Sequence, residues 1–229
     1  MALLSEADRL TVSARLAVIT HPVTLLFFSQ TIGAPDSALV ARQVIDEVAS
    51  MNELVTVREL SLLIERDEAA AFGIDHIPSV VLLRGDADTR MRFVGAPAGY
   101  EFMSLVDAVI LAGTGDSGLA SASRALAATV TAPFDIKVFV TPTCPHCPRA
   151  VTLAHRLAVE SPHITATCVE ASEFLDLSRR YRVTGVPKTV ANDSIEVLGA
   201  LPEDAFVRAL LQPAGEAPPS DAAPPDATA

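Results

Sequence analysis

Cysteine is scarce in this chain: three in 229 residues, and none in the first half. So few exclude a disulfide-stapled framework. In a chain of this size they read instead as redox or metal chemistry in a reducing compartment. Basic charge is also short, with 17 lysines and arginines against 28 acids and a net charge of −11, which excludes a nucleic-acid polyanion as partner. No apolar run approaches the roughly 18 residues of a membrane span. Met1 to Thr20 carry Glu6, Asp8, Arg9 and Arg15 among their apolar residues, which is not the pattern of a signal peptide. A cytoplasmic protein without membrane contact is expected. There is no glycine-rich dinucleotide fingerprint, so no bound cofactor is expected either.

What is present is a core. Half of the residues are hydrophobic, and the length suits one large domain or two of about 100 residues. In order, the patterns predict a helix at 5–18 and a strand at Val23–Phe28, then a helix at Ser37–Ser50 and a strand at Leu54–Leu60. A short helix at Asp67–Phe72 follows, then a hairpin of Ser79–Leu83 with Met91–Val94, and a helix at Glu101–Leu111. After the joint Gly113–Gly118 the plan repeats. Helices are predicted at Leu119–Thr129, Pro145–Glu160, Glu173–Arg180 and Glu203–Leu211, strands at Ile136–Val140 and Ile164–Val169, and a hairpin at Lys188–Ala191 with Ile195–Leu198. Phe72-Gly73-Ile74-Asp75-His76-Ile77-Pro78 answers Tyr181-Arg182-Val183-Thr184-Gly185-Val186-Pro187. A β-α-β-α-β-β-α unit therefore occurs twice, which is an α/β fold in two units, 1–115 and 116–211. Residues 212–229, nearly all Pro, Ala and acid, are expected to be a disordered tail.

The copies differ in sulfur. Cys144-Pro145-His146-Cys147 stands between an apolar strand and a helical pattern, whereas the matching loop of the first unit reads Thr31-Ile32-Gly33-Ala34-Pro35-Asp36. A sulfur at a helix N-terminus meets unpaired N–H groups whose partial positive charge favours thiolate. With a second thiol one turn away, such a thiolate can attack a disulfide and be released by internal exchange. Pro145 suits the first helical position. His146, beside Cys144, is expected to lower the thiol pKa further and so make the disulfide more oxidising. A zinc site needs about four N or S ligands. Cys168, His146, His155 and His163 form no second pair, so redox chemistry is favoured over metal. Cys168 reads as a buried small hydrophobe.

The second half resembles a thioredoxin-fold domain. The whole chain, from about Ser5 to Leu211, is similar to the tandem thioredoxin-fold protein disulfide oxidoreductases, called glutaredoxin-like. It is also similar to the N-terminal part of the flavoprotein subunit of alkyl hydroperoxide reductase, where the first CxxC is likewise lost. The stretches carrying the likeness are Gly95-Ala96-Pro97-Ala98-Gly99-Tyr100-Glu101-Phe102 and Val138 to Pro148. The resemblance implies two tandem thioredoxin-like domains, each a central mixed sheet flanked by helices. Cys144 would be the exposed attacking sulfur and Cys147 the shielded resolving one. Val186-Pro187 would be the cis-proline pair that binds an extended substrate, and Pro78 would be its relic in the first unit. It implies protein disulfides as substrates, a thioredoxin-reductase-like flavoprotein upstream and a peroxiredoxin downstream. Two departures stand out: the missing first site, which leaves that unit a scaffold or docking module, and His where many two-site relatives carry Tyr. Thioredoxins often place a buried acid where this chain has Val138; Glu170 is the weak candidate to replace it. The alternatives are a docking module in which the CxxC is merely retained, and a zinc-binding structural protein.

Overall fold

The computed structural model describes residues 3–30 and 32–212; the tail expected from residue 212 onward lies, but for Gln212, outside them. The elements run α1 (Glu6–Leu16), β1 (Val23–Ser29), α2 (Asp36–Ala49), β2 (Val55–Ser61), α3 (Arg66–Ala71), β3 (Ser79–Arg84), β4 (Ala87–Val94) and α4 (Glu101–Thr114). The second half follows with α5 (Ser121–Ala127), β5 (Phe134–Val140), α6 (Cys147–Glu160), β6 (Ile164–Glu170), α7 (Leu175–Arg180), β7 (Lys188–Ala191), β8 (Ile195–Leu198) and α8 (Glu203–Leu211). Ser5 caps α1, its hydroxyl accepting the Asp8 N–H at 3.2 Å, as a serine before an apolar-periodic stretch should.

Within each half the strands pair alike: β1 lies parallel to β2 and antiparallel to β3, and β5 lies parallel to β6 and antiparallel to β7. The two sheets expected from the sequence are joined. β4 pairs in parallel with β6 from Met91 opposite Ala166 to Val94 opposite Val169, giving one eight-stranded sheet in the order β2-β1-β3-β4-β6-β5-β7-β8. Alternation along the strands then sorts the side chains. Leu25 and Phe27 of β1, Phe93 of β4, Val138 of β5 and Cys168 of β6 share one face with the inward sides of α1, α2, α4, α6 and α8, in a single apolar core that crosses both halves. On the opposite face the apolar contacts split into two patches. Leu26, Phe28, Val81 and Ala69 form one, under α3; Phe139, Val169 and Tyr181 form the other, beside α7. Between those patches lies a polar cleft of about 650 Å³ over Arg92, Lys137 and Thr167, on the face away from the cysteines.

Several boundaries differ from expectation. β4 starts four residues earlier than the pattern suggests, because the hairpin turns tightly at Gly85, whose φ of +58° suits glycine. Helix α5 is shorter at both ends, and α7 starts at Leu175 rather than Glu173. Helix α6 starts at Cys147, two residues after the expected Pro145.

Candidate redox site

β5 ends at Val140, and its continuation, Thr141-Pro142-Thr143, turns back so that the Cys144 N–H donates to the Thr141 carbonyl at 3.1 Å. The chain then enters α6 with His146 as N-cap and Pro148 in the first turn. This corrects the placing of Pro145: it stands in the turn before the helix, and Pro148 is the proline that exploits the spare N–H positions of the helix start. Cys144 sits three residues ahead of Cys147, the first helical residue. The two sulfurs are joined in a disulfide with a Cα–Cα distance of 5.5 Å. Cys144 is 8 % exposed, nearly buried rather than exposed as expected, and Cys147 is fully buried. His146 is exposed, and no hydrogen bond of its side chain is formed among the described residues.

Val186 and Pro187 lie just before β7, on the strand next to β5, and the bond between them is cis. Val186 is half-buried and packs against both the shared core and the Tyr181 patch. The Ile77–Pro78 bond of the first half is cis as well.

The first half reaches directly into the redox loop. The Tyr100 N–H donates to the Pro142 carbonyl at 2.9 Å, and a Cβ at Gly99, whose φ is +62°, would run into that same carbonyl. The next residue, Glu101, opens α4 and is 1 % exposed. Its Oε2 accepts from the Ser104 hydroxyl at 2.6 Å and faces the Cys168 thiol at 3.9 Å, while Oε1 has no partner among the described residues. Burial pushes this carboxyl up to about 7, against the lowering effect of those two donors. Cys168 is register partner to Val138 of β5 and Phe93 of β4, so the acid from α4 stands over β6, beside the strand that leads into the CxxC. Burial and the charges of Glu101 and Glu170 push the Cys168 thiol well up; it stays protonated.

Little in the sequence marks Glu101 as a chemical group. An acid in the first turn of a helix is ordinary there, favoured by the helix dipole, and only the apolar run that follows it hints at burial. Glu170, the candidate raised from sequence, is occupied elsewhere. Its carboxylate accepts from the Ser172 hydroxyl and N–H at 2.6 and 3.1 Å and from the Glu173 N–H at 2.6 Å, which shapes the loop after β6. Val138 is buried, as an apolar residue should be. Among the described residues no group of three or more His, Cys, Asp or Glu could hold a metal ion, and no helix is long and apolar enough to cross a membrane.

A family model described as "Thioredoxin domain" matches residues 134–212. The second half has the thioredoxin fold. The match extends over the whole chain with solved structures. The N-terminal domain of the alkyl hydroperoxide reductase AhpF from Enterococcus faecalis is 28 % identical and superposes with a TM-score of 0.84, covering 90 % of this chain and 99 % of that one. A protein disulfide oxidoreductase from Aeropyrum pernix is 26 % identical with a TM-score of 0.81, covering 90 % and 91 %. Among curated proteins, the AhpF-type alkyl hydroperoxide reductase of Pseudomonas putida is 27 % identical over 203 residues, 83 % of this chain and 36 % of that protein. The chain thus spans about a third or less of the length of such relatives; for the Staphylococcus epidermidis protein the share is 27 %. The chain is built of two thioredoxin-like units in tandem.

Proposed function

We propose that the chain exchanges the Cys144–Cys147 dithiol and disulfide with protein substrates. The observation that carries the reading is that disulfide, set where a strand meets a helix, with Cys144 ahead of the helix and the less buried of the two. In the reducing direction the Cys144 thiolate attacks a substrate disulfide. An S–S bond forms between Cys144 and the substrate, and the substrate's other sulfur leaves as thiolate and takes a proton from water. The Cys147 thiol gives its proton to a base and attacks the Cys144 sulfur, which restores the internal disulfide and releases the second substrate thiolate. The two electrons gained by the substrate are those lost by the two cysteines. Glu101 is the base we assign, because a carboxyl held near neutrality and facing Cys168, which packs in one core with Cys144 and Cys147, can take a proton and return it in the reverse reaction. Pro145 and His146 flank the attacking sulfur and tune its thiolate, and Val186 with Pro187 receives the substrate chain.

Residues 1–115 act in this reading as a sulfur-free scaffold and docking unit and 116–211 as the redox unit. Likeness to the AhpF-type alkyl hydroperoxide reductases supports a relay in the cytoplasm from a thioredoxin-reductase-like flavoprotein to a peroxiredoxin. The test is a redox titration of metal-stripped protein in thiol–disulfide buffers, with free thiols counted by alkylation and mass. Cys144 and Cys147 should titrate together as a reversible two-electron couple while Cys168 stays reduced. Cysteines that never pair, or pair irreversibly, would refute catalysis and favour zinc or pure docking.

A further inference from the structure

The sulfur-free unit keeps the architecture of a site without its chemistry. The equivalent ends of the two halves are built alike. The Leu62 N–H donates to Ser29 at 3.0 Å where the Ala171 N–H donates to Val140 at 2.9 Å, and the Gly95 N–H donates to Pro78 at 2.8 Å where the Gly199 N–H donates to Pro187 at 2.9 Å. In both, the residue before the cis proline is half-buried. Neither Ile77 nor Val186 uses its N–H or carbonyl in a hydrogen bond among the described residues. Because β1 runs parallel to β2 and antiparallel to β3, the segments after Ser29, after Ser61 and before Ser79 leave the sheet at one end. At that end large apolar side chains face water: Ile32 is 84 % exposed, Ile64 79 %, Leu39 70 % and Leu63 54 %. Four such side chains at one sheet end, beside unused main-chain groups, mark a binding surface rather than scattered exposure.

We propose that this end of the first unit docks an extended, apolar, lysine- or arginine-bearing segment of another protein, which pairs with the N–H and carbonyl of Ile77 and lays its side chains on Ile32, Leu39, Leu63 and Ile64. Main-chain pairing supplies affinity and the apolar side chains supply selectivity, as in strand addition generally. The charge of the occupant follows from the rim. Asp36, Asp67 and Asp75 are exposed around this end and Arg66 is the exposed cation near them, so a basic segment is attracted. A second copy, with its net charge of −11 and the same acidic rim, is repelled. The inference deepens the docking role given to residues 1–115 and needs no thiol.

The test uses the full chain, oxidised and isotope-labelled, and as probe a cysteine-free, end-blocked peptide of alternating valine and lysine. Binding should saturate and shift the amide signals of Ile32, Leu62 to Ile64 and Ile77. The double variant Leu63→Asp/Ile64→Asp should weaken it at least about tenfold, while its Cys144–Cys147 redox titration stays unchanged as a control for folding. A peptide with glutamate for lysine should bind at least about tenfold more weakly. Absence of saturation at millimolar peptide, shifts confined to the surroundings of Val186, or equal binding by the double variant would overturn the proposal. So would signal shifts on raising the protein concentration alone that vanish in the double variant, which would make the surface a self-interface. None of these outcomes bears on whether the cysteines exchange disulfides.

Discussion

Replacing Glu101 by glutamine separates the two consequences of burying an acid. A carboxyl whose pKa rises from 4.5 to about 7 on folding binds more protons folded than unfolded. The stability it leaves intact is full below about pH 4.5 and is lost as pH rises through about 7. At 1.36 kcal/mol per unit the loss approaches about 3 kcal/mol at about pH 8. Glutamine has nearly the same shape and no proton to lose. Glu101→Gln is therefore expected to exceed the parent in stability by up to about 3 kcal/mol at about pH 8, with the advantage vanishing near pH 4.5. Urea denaturation of the oxidised protein across that range measures it. A difference independent of pH, or a variant less stable than the parent at about pH 8, would refute the burial argument. Catalysis should move the other way. Losing a positioned base slows release of the substrate mixed disulfide by about 100-fold at neutral pH, and the decay of mixed disulfide after rapid mixing reads this step separately from binding. An unchanged decay would remove Glu101 from the mechanism while leaving the stability result standing.

Cys144→Ser is expected to abolish disulfide reduction, and Cys147→Ser to accumulate a mixed disulfide with substrate visible by non-reducing mass analysis; full activity of the first variant would end the enzyme reading. His155 is buried in α6 against Phe93, and burial pulls its pKa from 6.5 to about 4. Its contribution is therefore present above about pH 6.5 and is lost by about 3 kcal/mol as pH falls through about 4. His155→Phe should flatten that acid limb in thermal denaturation, and an unaltered limb would show that the ring titrates normally. Gly99→Ala must hold φ near +62° and push against the Pro142 carbonyl. A loss of about 1–3 kcal/mol is expected, with faster alkylation of reduced Cys144, and a neutral substitution would show that the contact is loose.

The parts of the fold legible from sequence are those in which local pattern and tertiary context agree. Val138 to Val140 are a continuous apolar run, as in a strand buried on both faces, and the CxxC and a helical pattern follow at once, so the strand–CxxC–helix order reads directly. The repeat is legible because Phe72 to Pro78 and Tyr181 to Pro187 build the same turn. The helix start is less so, since Pro145 and Pro148 are both acceptable first-turn residues and the choice between them depends on how Thr141 to Thr143 fold back. The joined sheet is not legible at all. Met91 and Phe93 look the same in an edge strand facing a helix as in a strand that pairs with β6, and the pairing joins residues 75 positions apart in the chain. Glu101 escapes for a related reason: its burial comes from the other half of the molecule.

The same contacts explain why a unit without sulfur is kept. β6 is paired on one side by β5 of its own half and on the other by β4, so without the first half it would be an open edge, with main-chain groups unpaired from Ala166 to Val169. Helix α4 covers α6 from the same core, and Arg90 on β4 donates to the Ala158 carbonyl near the end of α6 at 2.7 Å. The loop that carries these contacts onward, Gly95 to Tyr100, is also the one that fixes Pro142 and delivers Glu101. The absence of sulfur from the first half therefore leaves these residues constrained, because their partners lie in the second. A carboxyl at Val138 would have to be buried from within the redox unit, between strands. Delivered from α4 instead, it enters the core from one helix end, with Ser104 of its own helix as donor. The acid can then be placed and tuned by the first half while the strand beneath the cysteines remains apolar.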